Sequence, residues 1–275
     1  MVKLRSVVWR LALWTLLIIA AFAPAASAQQ SDNDLTSVSL ENLMNMQVSS
    51  VSRHEEQMRN TAAAVYVITQ EDIRRSGATE LADLLRSVPG MDVAQINSGT
   101  WAVSARGFTA QYAKKLVMLV DGRSVYDPTF SGMYWQLQNL VLEDIDRIEV
   151  IRGPGATMWG ANAVNGVISI TTKRAAQTQG GLIVADAGSS RPAEGSLRFG
   201  GAIGKNAFYR VFGRQTTRTS TPESEANGGD SWNLTDGGLR LDWTRSSKDS
   251  FTFETGAYRG ISGNPQKILE SISLC

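Results

Sequence analysis

From residue 180 onward apolar and polar residues take turns along the chain, and this period of two restricts the fold more than any other feature. In Leu239-Arg240-Leu241-Asp242-Trp243-Thr244-Arg245 the alternation is strict, and Phe251-Thr252-Phe253-Glu254-Thr255-Gly256-Ala257 repeats it. Tyr209, Val211 and Gly213 alternate with Arg210 and Arg214, with Phe212 interrupting, and Leu182–Asp186 and Leu197–Ile203 are further candidates. Successive side chains of a strand point to opposite faces, so each segment has one apolar and one polar face. Two architectures use this pattern: a transmembrane barrel with lipid outside and water within, and a soluble β-sandwich with a dry core. These strands alone leave both open. Five of them cannot close a barrel, because an open sheet in hydrocarbon leaves edge N–H and C=O groups unpaired at several kcal/mol each.

The preceding stretch has a different texture. Val65-Tyr66-Val67-Ile68 is β-branched and aromatic, which predicts a strand. Thr69 is placed to cap a helix over Gln70–Arg75, with Glu71 and Asp72 in its first turn and Gly77 ending it. Thr79 is the expected cap of a second helix whose Leu81, Leu84, Leu85 and Val88 share a face, stopped by Pro89-Gly90. Short strands follow at Met91–Ala94, Ala102–Arg106, Leu116–Val120, Arg147–Arg152 and Val167–Thr172. Turn residues such as Asp121-Gly122 and Gly153-Pro154-Gly155 separate them. The expectation is a small α+β domain, a mixed sheet with short helices, over residues 61–174.

Residues 1–28 predict an export signal. Lys3, Arg5 and Arg10 are basic, Leu11–Ala23 is apolar and uncharged, and Ala26-Ser27-Ala28 is a small-residue cleavage site. That run is shorter than the roughly 20 residues of a membrane helix. Residues 29–60 form a polar tail with a short amphipathic helix expected at Ser39–Met46. Val48, Ser49, Ser50, Val51 and Ser52 are small and β-prone. Such a run on a tail is able to add itself to the edge of another protein's sheet, although an ordinary linker has the same composition. Export without a usable cysteine pair fits a bacterial envelope protein.

Composition removes several functions. A net charge of +1 gives no basic footprint for nucleic acid. The only Cys is Cys275 and the only His is His54, so neither a disulfide, a Cys/His metal cage nor a Ser-His-Asp triad can be assembled. Gly155 and Gly160 have phosphate-loop spacing, but Ala161 and Asn162 stand where Lys and Ser/Thr would grip a nucleotide. Glu143, Asp144 and Asp146 precede a strand without the alternating ligands of a calcium loop, and predict a turn. Neither an enzyme, a cofactor nor a metal site is expected.

Four ordered blocks carry a family resemblance: Ala64–Ile73, Leu81–Gly90, Arg106-Gly107-Phe108 with Val120–Val125, and Ile148–Gly155 continuing through Trp159–Ile168. Together they resemble the plug domain of TonB-dependent outer-membrane receptors, over roughly Val48 to Lys173. The resemblance implies that residues 181–262 are the first antiparallel strands of a 22-stranded transmembrane β-barrel, incomplete here. The remaining residues, 263–275, lack the alternation and predict an irregular end, as after truncation or a frame change.

The resemblance also implies a mechanism and partners. TonB, part of an energy-transducing inner-membrane complex, would pull on a short box, here Val48–Ser52, and draw the plug aside. Arg106 and Arg152 match plug arginines that pair with barrel glutamates, a pairing that suits the guanidinium fork. Turns carrying Trp101, Tyr112, Tyr126, Phe130, Tyr134 and Trp135 are candidates to face a ligand, though the same aromatics are suited to packing against the barrel wall. The implied location is the outer membrane of a Gram-negative bacterium, in contact with its lipid. The implied ligand is a ferric siderophore. Cobalamin or another nutrient is the alternative, as is a truncated product with no transport of its own.

Overall fold

A computed structural model describes residues 47–48, 56–57, 64–107, 115–127, 129, 132–138, 140–153, 156–160, 162–188, 193–220, 229–246, 248–263 and 271–274. All of its elements belong to one compact unit, Met44–Cys275. The expected helix at Ser39–Met46 and signal at 1–28 lie outside the described residues. A short antiparallel pair of two-residue strands, β1 (Gln47–Val48) with β2 (Glu56–Gln57), comes first.

The α+β domain then forms around a mixed sheet. Strand β3 (Ala64–Thr69) runs into helix α1 (Gln70–Ser76). Thr69 and Asp72 form a reciprocal capping box, and Gly77 takes the left-handed conformation at the end. Helix α2 (Leu81–Leu84) continues as a 3₁₀ turn, Leu85–Ser87. Its N-cap is Glu80 and not Thr79, and no side chain caps it. The reason is that the Glu80 carboxylate is committed elsewhere, to Trp101 and Arg218.

The hairpin β4 (Met91–Gln95) and β5 (Trp101–Ala105) follows. Then come β6 (Leu116–Val120), β7 (Arg123–Ser124), β8 (Ile145–Arg152), a short helix α3 (Ala156–Trp159) and β9 (Gly166–Thr172). The main sheet has the order β3-β8-β9-β6-β7, with β6 and β9 parallel and the other pairs antiparallel. Strand β6 is buried along its whole length, which explains its unbroken apolar run. Ile68, Ile73, Leu81, Leu84, Leu85, Val103, Met118, Ile148, Ile168 and Ile170 make the principal core. Val117, Leu119, Ile151, Ala163 and Val167 form a smaller one.

The second half is one antiparallel sheet in sequence order: β10 (Gly180–Asp186), β11 (Ala193–Ile203), β12 (Ala207–Arg218), β13 (Trp232–Thr244), β14 (Ser250–Ser262) and β15 (Ser271–Leu274). Strand β15 lies in the stretch expected to be irregular. It is four residues long, too short for alternation to stand out in the sequence, and it pairs with the edge of β14. Strands of 11 to 13 residues are long enough to cross a tilted bilayer path. Short turns at residues 204–206 and 245–249 mark one end of the sheet, and the connections 187–192, 219–231 and 263–270 mark the other.

Which face is covered decides between barrel wall and sandwich. Ile183, Leu197, Phe199, Ile203, Trp243, Phe251, Phe253 and Ile261 are exposed, whereas Arg210, Arg214, Thr216 and Arg218 are buried. A soluble sandwich buries its apolar face. Here the apolar face is bare and the charged face is covered by the α+β domain, the inside-out pattern of a membrane wall. No described helix is long and apolar enough to cross a membrane.

Candidate functional site: the surface between plug and wall

Strand β12 sets three arginines, Arg210, Arg214 and Arg218, on its covered face at every fourth residue, about 13 Å apart along the strand. Each meets the α+β domain. Arg210 donates to the Lys173 carbonyl at 2.9 Å and to Thr172 Oγ1 at 3.3 Å, with Asp144 Oδ2 3.5 Å from its Nε. Arg214 donates to the Leu140 carbonyl at 2.5 Å and the Thr79 carbonyl at 3.5 Å, and pairs with Glu194 of the wall itself. Arg218 pairs with Glu80. From β11, Arg198 reaches Asp144 Oδ1 at 2.5 Å.

Arg240 of β13 lies opposite Arg210 in the register, and two neighbouring cations require counter-charge. It is supplied from both sides. Arg240 contacts Glu254 at 2.7 Å and Asp242 at 3.0 Å on the wall, and Asp121 at 3.3 Å and Thr172 Oγ1 at 2.9 Å on the α+β domain. Asp121 occupies the left-handed region at φ 49° and also accepts from the Thr172 N–H at 2.8 Å and hydroxyl at 2.7 Å. A short acceptor is what that tight turn needs. Asp242 accepts the Ala175 N–H at 2.7 Å, fixing the segment that leads into β10.

At the opposite end the contact is a mixture of hydrogen bonds and close packing. The Ser98 N–H donates to Asp230 Oδ2 at 2.7 Å, and its hydroxyl to the Asp230 carbonyl. A Cβ on Gly99 would meet the Trp232 side chain at 3.2 Å, so glycine here lets the Trp232 ring pack closely against the plug backbone. Glu80 links both halves, accepting from Trp101 Nε1 at 2.7 Å and from Arg218. Burial depresses the Lys173 ammonium below the usual lysine range, with Asp144 opposing. Burial likewise pulls on Arg147, but the hydrogen-bonded carboxylates of Glu149 and Asp146 outweigh it and hold that group above its usual value.

The structure distributes the residues expected to carry function. Val48 is buried in β1 and paired with Glu56, while Ser49, Ser50, Val51 and Ser52 lie outside the described residues, as do Tyr112 and Phe130. Arg106, at φ 61°, donates to the Arg152 carbonyl at 3.4 Å, and Arg152 donates to the Pro89 carbonyl at 3.1 Å. Trp101 does not face outward: it is 2% exposed, with Arg86 over its ring at 5.5 Å. A strand start set between helix α2 and the wall leaves that ring nowhere to go but the core. Trp135 is buried where the two halves meet, and its Nε1 has no partner among the described residues. Tyr126 and Tyr134 are half-buried. Asp144, expected only to start a turn, is a central partner of the wall.

Comparison with known proteins now gives these features a name. Residues 57–167 match the family model described as the TonB-dependent receptor plug domain. Residues 57–167 belong to the TonB-dependent receptor plug-domain family. It is 32% identical over 164 residues to the vitamin B12 transporter BtuB of Vibrio cholerae, covering 60% of this chain and 26% of that protein. It is 31% identical over 195 residues to the ferric enterobactin receptor of Pseudomonas aeruginosa, covering 63% of this chain and 26% of the relative. The chain thus spans about a quarter of the curated relatives it matches. Among solved structures it resembles the siderophore receptor PirA of P. aeruginosa, with TM-score 0.53, 26% identity, and coverage of 74% of this chain and 35% of the other. It shares the fold of the pyoverdine outer membrane receptor FpvA, with TM-score 0.62, 18% identity, and coverage of 78% and 30%. The six-stranded sheet therefore corresponds to part of the receptor barrel, and the α+β domain to its plug. These relatives are named as transporters and receptors.

Proposed function

We propose that this chain serves energised uptake across the outer membrane of a Gram-negative bacterium, with a ferric siderophore as ligand and TonB as the pulling partner. One observation carries the reading: the plug is seated on the wall largely by ion pairs and hydrogen bonds, with apolar packing confined to the end around Trp135, Trp232 and Leu234, and its principal core is built from its own residues. A plug held mainly by polar contacts exposes little apolar surface when drawn aside, because water takes over each broken hydrogen bond. In this reading residues 1–28 are the export signal, 29–60 the tail, 61–174 the plug and 181–262 the first strands of the wall, followed by 263–275. Val48–Ser52 is the segment that TonB engages by strand addition, which requires Val48 to leave its pairing with Glu56.

Arg106 and Arg152 take carboxylates from the rest of the wall. The buried Nε of Arg152 has no partner among the described residues, and that is the half of the fork a carboxylate fills. The half-buried Tyr126 and Tyr134 and the segments around Tyr112 and Phe130 belong to the ligand side. The arginine-lined wall favours an anionic chelate over cobalamin or a neutral sugar. The test is uptake in a strain deleted for this gene and complemented with it, offered radiolabelled iron on a panel of siderophores and, in parallel, labelled cobalamin. Iron uptake that a protonophore abolishes supports the proposal. Uptake of cobalamin alone reassigns the ligand, and uptake indifferent to both the gene and the protonophore refutes it.

A further inference from the structure

The outer face of the wall carries a feature that plug seating does not use. Trp243 and Phe251 are cross-strand partners and stack at 5.6 Å, both exposed, and Phe199 with Tyr209 forms a second aromatic pair at 6.3 Å. Two residues beyond Trp243, a rise of about 7 Å, the chain enters the turn 245–249, where Arg245 and Lys248 are exposed. The neighbouring turn 204–206 exposes Lys205, and the two turns are tied by the Thr244 N–H donating to the Asn206 carbonyl at 2.9 Å. One carboxylate, Asp249, shares this edge. Its Oδ2 accepts the Ser246 hydroxyl at 2.9 Å within its own turn.

We infer that Lys205, Arg245 and Lys248, set one headgroup depth below the Trp243–Phe251 stack, bind the phosphate of an anionic phospholipid in the leaflet at the short-turn end of the wall. Aromatic rings on a membrane wall sit at the boundary between hydrocarbon and headgroups. Cations one step further out therefore meet headgroup phosphates, and charge complementarity selects an anionic lipid over a zwitterionic one. The three cations stand on two adjacent turns joined by a backbone hydrogen bond, along one edge of the sheet. The inference rests on the wall's orientation in a bilayer and is independent of which ligand the receptor takes up.

The test uses the full chain in a Lys3→Gln, Arg5→Gln, Arg10→Gln background, so that the basic N-terminus adds nothing. Co-sedimentation is measured with pure phosphatidylcholine vesicles and with vesicles containing phosphatidylglycerol, at low salt. Each cation near an anionic surface is worth about fivefold in binding. The net of three cations and one carboxylate predicts an approximately 25-fold preference for the phosphatidylglycerol vesicles. Adding Lys205→Gln, Arg245→Gln and Lys248→Gln leaves Asp249 alone at this edge, so the preference is lost and turns to about fivefold against phosphatidylglycerol, while binding to phosphatidylcholine is unchanged, because the aromatic face is intact. Quenching of Trp243 by brominated phosphatidylglycerol, read as the difference from Trp243→Phe, falls in the same variant. Equal preference with and without the three substitutions overturns the inference. So does loss of the preference on adding millimolar inorganic phosphate at constant ionic strength, which would mark a free-anion site.

Discussion

Replacing Asp144 by asparagine tests the seating of the plug most directly. Its carboxylate spans two wall strands, with Arg198 at 2.5 Å and Arg210 at 3.5 Å. Side-chain exposures of 6%, 12% and 8% put all three groups in the buried regime. Asparagine keeps the size, and the backbone bonds from Asp144 N–H to the Val141 carbonyl and from Lys173 N–H to the Asp144 carbonyl persist. What is lost is the charge. Removing one member of a buried pair costs about 3–5 kcal/mol, because the other is left uncompensated. Arg210 retains the Lys173 carbonyl and Thr172, which points to the low end, about 3 kcal/mol. With a urea slope of about 2 kcal/mol/M the unfolding midpoint should fall by about 1.5 M. The assay is urea unfolding of the chain in detergent micelles, for Asp144→Asn, Arg198→Met and the double variant. The double variant should recover about 2 kcal/mol relative to the sum of the singles, the range of coupling for residues in contact. If the two single effects add within about 0.5 kcal/mol, the pair does not hold plug to wall and the reasoning fails.

Three further outcomes follow from the same geometry. Trp101→Phe removes the donor to Glu80 while keeping an aromatic ring, and should lower stability by about 1.5–3 kcal/mol, read by the same urea titration; an effect below a few tenths would mean the Trp101–Glu80 hydrogen bond is not made. Gly200→Ala puts a Cβ 2.1 Å from the Thr178 carbonyl, where β11 passes the segment leading into β10. Native-state amide exchange at Thr178 and Gln179 should accelerate by more than tenfold, and unchanged protection would mean the two backbones are not in contact. Arg74 first and Arg75 second hold the Glu71 carboxyl down at about 2. A depressed carboxyl stabilises the folded state above its unfolded value, near 4.5, and loses that contribution as pH falls through about 2. Glu71→Gln should therefore flatten the acid side of the stability profile between those values, and an NMR midpoint for Glu71 near 4.5 would discard the pairing.

Local signals were legible where the chain's own chemistry decides. The capping box of Thr69 with Asp72, the left-handed Gly77 and the apolar run Leu116–Val120 all follow from neighbours within a few residues. The period of two likewise yielded five of the six wall strands. The seat was not legible. An arginine on the polar face of a strand has the same pattern whether water or another domain wets it, and Arg210, Arg214 and Arg218 carry no local mark that distinguishes the two. Their partners are remote: Asp144 lies 54 residues from Arg198, and Glu80 lies 138 from Arg218. The burial of Trp101, which its sequence context left open, and the shift of the second helix cap have the same origin. Both turn on Glu80, whose carboxylate serves a residue 21 positions away and another across the domain boundary.

The polarity of the seat has a mechanical consequence. The resemblance pointed to plug arginines seeking wall carboxylates, yet the described contacts run largely the other way, with wall arginines holding plug carboxylates and carbonyls. Arginine keeps its charge at any physiological pH, so a wall built this way stays cationic when the plug is displaced. Were the proposed ligand an anionic chelate, Arg198, Arg210, Arg218 and Arg240, once released by the plug carboxylates, would be open to it, while Glu194, Asp242 and Glu254 of the wall keep part of the counter-charge in place. A variant that weakens the seat by neutralising Asp144 should leave the wall's attraction for anions intact, while one that neutralises the arginines should weaken both.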